Sequence, residues 1–181
     1  MVRPIVLYGS PILRQKAQPV PLDDPRLPSL IQDLWDTMHQ AQGVGLAAPQ
    51  IGVSLQVFVV DTQEAESSDT PAFQEVFINP RILSTAPSCV PYEEGCLSIP
   101  GIRERVYRSP SIEVEYYDRN LQLKRNIFEG FPARVIQHEY DHLLGLLFID
   151  YLSPLKRQLL RRRLQQISRG AVQTAYPIAL P

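Results

Sequence analysis

Residues 137–145 read Gln-His-Glu-Tyr-Asp-His-Leu-Leu-Gly, and they leave the chain little conformational choice. Of the three histidines in the protein, His138 and His142 sit here four positions apart, with Glu139 directly after the first. On a helix, positions i and i+4 share one face about one turn apart. Both imidazoles then reach a single metal ion, and Glu139 points close to the same centre. This H-E-x-x-H spacing is the signature of zinc metalloproteases, in which the glutamate is the general base. The flanks predict a helix over 132–144: Pro132 suits a first turn, Ala133 to Gln137 tolerate or favour helix, and Gly145 is placed to stop it. A catalytic divalent site has three protein ligands and one open position, so a third ligand must come from elsewhere in the chain.

The 181 residues suffice for a single domain, 1–181, with a sizeable core, and 44% hydrophobic residues argue for a folded chain. No apolar run reaches the ~18 residues of a membrane helix, and the start, Met1 to Gly9, is broken too early for a signal peptide. Two cysteines, Cys89 and Cys96, make no disulfide framework. These features predict a cytoplasmic protein without membrane partners. Charge is uneven. Residues 153–181 hold six basic side chains, Lys156, Arg157, Arg161, Arg162, Arg163 and Arg169, and no acidic one. An acidic body with a basic C-terminal stretch suggests contact with an anionic surface.

Pro4, Pro11, Pro19 and Pro21 keep residues 1–23 extended or looped. A helix is predicted over 25–42, capped by Asp24, begun by Pro25 and ended by Gly43, with Leu27, Leu30, Ile31, Leu34 and Met38 as its core stripe. His39 lies off that stripe and reads as solvent-facing or capping. The stretch Gly43-Val44-Gly45-Leu46-Ala47-Ala48-Pro49-Gln50 permits close backbone approach, as a tight packed turn or beside another group. Residues 55–60 read as a buried strand and 61–74 as a surface loop. A short strand over 75–78 is stopped by Asn79-Pro80; 112–116 alternates as a half-buried strand, turns at 118–120 and returns from 121. A last, basic helix starts at Ser153-Pro154 with Leu155, Leu159, Leu164 and Ile167 as its apolar face and ends at Gly170; residues 171–181 read as a loose tail. Together these elements predict an α+β fold with mostly antiparallel pairing.

Cys96, in Glu93-Glu94-Gly95-Cys96-Leu97-Ser98-Ile99-Pro100, is the candidate third ligand. A thiolate with two neutral imidazoles is a sound donor set for a divalent transition metal. Three stretches, GVGLAAPQ at 43–50, EGCLS at 94–98 and QHEYDHLLG at 137–145, resemble in order and spacing the three motifs of bacterial peptide deformylases. The resemblance runs from Gly9-Ser10-Pro11 to Leu152-Ser153-Pro154. It implies antiparallel sheets around the motif helix, with a helix at either end of the chain. It also implies removal of the formyl group from the N-terminal formylmethionine of nascent peptides. Cys96, His138 and His142 would bind the metal, Glu139 would be the catalytic acid/base, and Gln50 with the Leu97 N–H would hold the oxyanion. The family's usual ion is one Fe2+ per chain, with Zn2+, Ni2+ or Co2+ able to substitute; ligand type alone points to zinc.

Substrate is expected against Gly45, Glu94 and Gly95, with the methionine side chain among Val44, Val135 and the stem of Arg103. Asp141 and Glu94 are candidate partners for the ligand imidazoles. Arg134, one turn before His138, departs from the apolar residue of many relatives. Two other readings remain open on sequence: a zinc endopeptidase, and a structural four-ligand site closed by Cys89. The basic last helix further suggests contact with ribosomal RNA.

Overall fold

The computed structural model describes residues 1–65 and 71–180. In chain order the elements are β1 (Ile5–Val6), α1 (Leu27–Gln40), β2 (Gly45–Ala47), β3 (Val57–Asp61), β4 (Gln74–Thr85), β5 (Val90–Cys96), β6 (Ile99–Arg108), β7 (Ser111–Tyr117), β8 (Leu123–Glu129), α2 (Gly130–Leu143), α3 (Pro154–Ser168) and β9 (Ile178–Ala179). Five strands form an antiparallel sheet in the order β2-β3-β4-β7-β8. The β5–β6 hairpin stands apart from it, and β1 pairs β9 in parallel. The predicted α+β class and antiparallel pairing are what the chain adopts.

Strand β3 explains how the layers stack. Val57, Phe58, Val59 and Val60 are all fully buried, because both faces of the sheet are covered. Side chains alternate along a strand. Val57 and Val59 join Leu27, Leu30, Ile31, Leu34 and Met38 of α1 in one apolar cluster. Phe58 and Val60 join Ala133, Val135, Ile136 and Leu143 of α2 in another. Each such side chain contributes about 1.5–3 kcal/mol relative to exposure. The third cluster joins Ile99, Ile102 and Val106 of β6 to Leu160, Leu164 and Ile167 of α3. Helix α2 therefore carries the histidine motif across one face of the sheet, opposite α1.

Several boundaries differ from the sequence reading. Asp24 does not cap α1: its carboxylate accepts from the N–H of Arg26, the residue at the N-cap position, and the helix starts at Leu27. The left-handed residue after α1 is Gln42 (φ 54°), not Gly43. The N–H of Gly43 bonds back to the Met38 carbonyl, and that of Gln42 to the His39 carbonyl, which satisfies the last turn. Asn79-Pro80 does not stop β4. The strand runs through it with a register shift between Ile78 and Arg81, as a bulge lets proline sit within a strand. Asn79 holds that irregularity by bonding both the N–H and the carbonyl of Val20. The predicted 61–74 loop is bracketed by the end of β3 and the start of β4; residues 66–70 within it lie outside the described residues.

Helix α3 buries Leu160, Leu164 and Ile167, whereas Leu155 and Leu159 are 67% and 70% exposed. The stripe that meets β6 is the i, i+4, i+7 row from Leu160; Leu155 and Leu159 lie off it. The tail is not loose: β9 pairs with β1, and the Tyr176 hydroxyl donates to the Leu97 carbonyl at 2.8 Å. Sequence pattern missed this, because two-residue strands carry no periodicity. No helix is long and apolar enough to cross a membrane among the described residues.

Gly145 closes α2. Its φ is +76°, and the Leu146 N–H returns to the Asp141 carbonyl at 2.9 Å. A Cβ there would meet the Arg14 backbone oxygen at 2.6 Å. Gly145→Ala is therefore predicted to destabilise the protein by more than about 1 kcal/mol, lowering the thermal midpoint by at least about 2 °C in a calorimetric scan.

Candidate metal centre and active site

Two periodicities build the centre. Phe131, Val135, His138 and His142 follow i, i+4, i+7, i+11 on α2, so they form one stripe. Tyr92, Glu94 and Cys96 alternate on β5 and share one face. Where stripe and face meet, one donor atom each from Cys96, His138 and His142 lies within 4.8 Å of the others. Cys96 Sγ is 3.4 Å from His142 Nε2, and the imidazole centroids are 5.1 Å apart. One sulfur and two imidazole nitrogens at this spacing could hold a single divalent ion, and no oxygen-rich ion of the Ca2+ kind suits them. Cys89 is exposed and stands outside the group, so a fourth, closing cysteine ligand is ruled out in this arrangement.

The candidate ligands rest on a buried ionic node. Glu94 accepts from Arg108 at 2.7 and 3.0 Å and from Arg134 at 2.9 Å, and its Oε1 lies 2.8 Å from His138 Nδ1. Arg108 also donates to Asp141 at 2.8 Å, which takes a further bond from the Tyr151 hydroxyl. Two carboxylates face two guanidiniums, so the buried charge balances. Burial alone would raise the Glu94 pKa, but its bonds to His138 and Arg108 hold it at about 2. Asp141 was expected beside a ligand imidazole; instead it meets Arg108, while His142 Nδ1 has no partner among the described residues. Burial and the neighbouring His138 push the His142 pKa down, which suits a neutral ligand. At His138 burial also pulls down, but the bonds to Cys96 and Glu94 outweigh it and raise the pKa.

Glu139 is buried, and burial raises its pKa to about 7. Its Oε2 has no hydrogen-bond partner among the described residues. A Cβ on Gly45 would meet its Oε1 at 2.6 Å, so the glycine in GVGLAAPQ leaves room for that carboxylate. The packed-turn and close-approach readings of this stretch are thus both met: it forms β2 and a short 3-10 turn. Gln50, in that turn, accepts from the Ala47 N–H and directs Nε2 to Cys96 Sγ (3.5 Å) and Ser98 Oγ (3.2 Å). Leu97 and Ser98 form the two-residue turn between β5 and β6.

Val44, Gly45, Glu94, Gly95, Arg103 and Val135 all line one cavity of about 600 Å³, together with Gln50, Cys96, Leu97, His138 and Glu139. Arg103 sits at its rim, exposed and paired with Glu93. Two aromatic lining residues, Tyr92 and Phe131, escaped the sequence reading, whereas Arg134 was singled out in it. Tyr92 and Phe131 pair their rings at 5.8 Å, and the Arg134 guanidinium lies 5.4 Å from the Tyr92 centroid. Their signal was present, since Phe131 shares the stripe of His138 and Tyr92 the face of Cys96. A further contribution, Gln173 to Tyr176 of the tail, carried no sequence signal. His39 is not among the residues lining the cavity; it is exposed and bonded to Asp61.

The polypeptide deformylase family matches residues 2–158. A peptide deformylase of Christiangramia forsetii is 43% identical over 190 residues, covering 100% of this chain and 97% of that protein. One of Chlorobium phaeobacteroides is 45% identical over 179 residues, covering 99% and 96%. A crystal structure of a peptide deformylase from Legionella pneumophila is similar with a TM-score of 0.84 and 42% identity, covering 94% of this chain and 98% of that one.

Removing one member of a buried ionic node leaves its partners uncompensated. Glu94→Ala is predicted to cost about 3–5 kcal/mol in urea denaturation and to weaken metal affinity about 10–100-fold, read by competition with a chelator.

Proposed function

The chain belongs to the polypeptide deformylase family, and on that premise we propose how its residues remove the formyl group from the N-terminal formylmethionine of newly made polypeptides, releasing formate. The observation that carries the account is the convergence of Cys96, His138 and His142 beside a buried Glu139 in the wall of one cavity. We assign Cys96, His138 and His142 as ligands of one Fe2+. The family resemblance favours that ion, and the sulfur-and-imidazole donor set is equally open to Zn2+, Ni2+ or Co2+. When bound, the ion supplies an acidified water and positive charge for the formyl oxygen.

Glu139 takes the proton released by the attacking water and returns it to the leaving amine nitrogen, giving a free N-terminus. Burial raises the Glu139 pKa, which supports its carrying a proton between the two halves of that transfer. The Gln50 amide and the Leu97 N–H hold the developing oxyanion; Gln50 Nε2 lies 3.5 Å from Cys96 Sγ, and Leu97 follows Cys96 in the chain. Losing one such donor costs about 3–4 kcal/mol of barrier. Substrate backbone lies beside Gly45 and Gly95 as an added strand. Gly45 belongs to β2, the edge strand of the main sheet, which supports this placement.

The methionine side chain is assigned to Val44 and Val135, extended by Tyr92 and Phe131, with Arg103 at the rim. Glu94 lines the cavity, but its carboxylate is occupied by Arg108, Arg134 and His138, so its role is to hold His138 rather than to touch peptide. An endopeptidase activity has only the helix motif in its favour. Residues 1–181 act as one catalytic domain, a reading supported by the pairing of the first and last strands, and the family match supports a cytoplasmic place of action.

A separate proposal concerns the partner surface. Arg157, Arg161 and Arg162 of α3 are exposed, and α3 carries no acidic residue. This face suits ribosomal RNA phosphates, which would place the enzyme near emerging chains.

Glu139→Ala is predicted to keep one metal per chain and to lose nearly all turnover of a formyl-Met peptide, by metal analysis of protein prepared without air alongside a formate assay. Near-normal turnover would remove Glu139 from the mechanism. A triple Arg157→Glu, Arg161→Glu, Arg162→Glu variant is predicted to lose ribosome co-sedimentation at low salt while its peptide turnover persists. Equal pelleting of both proteins would end the RNA proposal.

A further inference from the structure

The tip between β5 and β6 is held from three directions. The Tyr8 N–H donates to the Ser98 carbonyl at 2.8 Å, Gln50 Nε2 lies 3.2 Å from Ser98 Oγ, and the Tyr176 hydroxyl donates to the Leu97 carbonyl at 2.8 Å. The Leu97 N–H itself makes no hydrogen bond among the described residues. Tyr8 and Tyr176 are connected to each other through the β1–β9 pair. The Ile5 N–H bonds the Pro177 carbonyl at 2.9 Å, directly after Tyr176, and Tyr8 follows β1 by two residues. The two chain ends thus meet in one parallel ladder, with Tyr176 preceding its first pair and Tyr8 following its last, and each of these residues bonds this turn.

The tail is built to stay there. A Cβ at Gly170 would meet Leu180 Cδ2 at 2.1 Å, so the glycine that ends α3 also makes room for the tail's last described residue. The Thr174 hydroxyl donates to the Tyr176 carbonyl at 2.7 Å, and the Tyr176 ring packs on the α1-side apolar cluster. Burial and the nearby Cys96 push the Tyr176 pKa up to about 12, so its phenol remains a donor at neutral pH. Gln173 to Tyr176 form a wall of the active-site cavity and lie beyond residues 2–158, the part matched by the family.

We propose that Tyr176 is a positioning residue for deformylation: by clamping the Leu97 carbonyl, the C-terminal strand fixes the torsion of Leu97 and so aims its N–H at the reacting centre. The inference rests on the Leu97 N–H being an oxyanion donor. Leu97's N–H and carbonyl belong to successive peptide planes joined at its Cα, so holding the carbonyl plane restricts the swing of the N–H plane. Oxyanion donors act by being pre-aligned; a plane free to swing spends part of its time misdirected. The effect falls on the transition state, hence on kcat, and not on peptide binding.

The test is Tyr176→Phe in the full-length, metal-loaded enzyme, with amide NMR of the metal-free protein as a second readout. Phenylalanine keeps the ring and removes the donor. The expected result is a fall in kcat of about 5- to 30-fold with KM within about twofold, together with faster internal motion in 15N relaxation at Leu97 and Ser98. Amides of β3 and Ile5 keep their wild-type shifts. Unchanged kcat with unchanged Leu97 and Ser98 amides overturns the proposal. Loosened amides with unchanged kcat instead remove Leu97 as the oxyanion donor, and the catalytic consequence falls with it. A fall in kcat without change at those amides, or with β3 disturbed as well, refutes positioning as the cause.

Discussion

The Glu94 carboxylate, buried between His138, Arg108 and Arg134, is the contact on which the rest of the structure leans. Taking two carboxylates and two guanidiniums out of water costs several kcal/mol per ion, recovered only when every lone pair and proton finds a partner. Here Arg108 forks onto Glu94 and reaches Asp141, Tyr151 caps Asp141, and Arg134 also bonds the Val106 and Val90 carbonyls. The arrangement joins β5, β6, α2 and the turn containing Tyr151. Those are the elements that must be in register for a sulfur on one and two imidazoles on another to converge. The node accounts for the burial of Arg134 as well, since its guanidinium bonds Glu94 and the Val106 and Val90 carbonyls.

Around that node the chain uses close backbone approach to bring chemistry to a sheet edge. Gly45 lies on β2, the outermost strand of the main sheet, and its missing side chain is the space into which Glu139 fits. The same bare edge offers unpaired backbone groups to an extended peptide. Gly45 therefore makes room for the carboxylate on the same edge that the proposed function assigns to the peptide. The alternation of β3, two valines toward α1 and Phe58 and Val60 toward α2, locks this edge beneath the histidine helix.

Local readings from the sequence held where one element carried the pattern. The His138–His142 spacing, Gly145 as the helix stop, the α1 stripe from Leu27 to Met38 and the β7 alternation all follow from periods of 3.6 or 2 within a few residues. They were misread where a distant group overrode a local signal. Asn79-Pro80 looks like a strand end, yet Asn79 bonds Val20 and lets β4 continue as a bulge. Leu155 and Leu159 look like core, but α3 turns its Leu160 row toward β6.

The sequence by itself determined the ligand types, the helix that pairs two of them, and the family, because spacing along one helix is a local property and three motifs in order are specific. Tertiary structure brings Cys96, the candidate third ligand, beside His138 and His142 while Cys89 stays exposed, and it alone decided that Asp141 serves Arg108 rather than an imidazole and that the last residues return to the cavity wall. Each of these joins residues separated by tens of positions through a single bond or a two-residue ladder, and a contact of that kind leaves no periodicity in the chain to read.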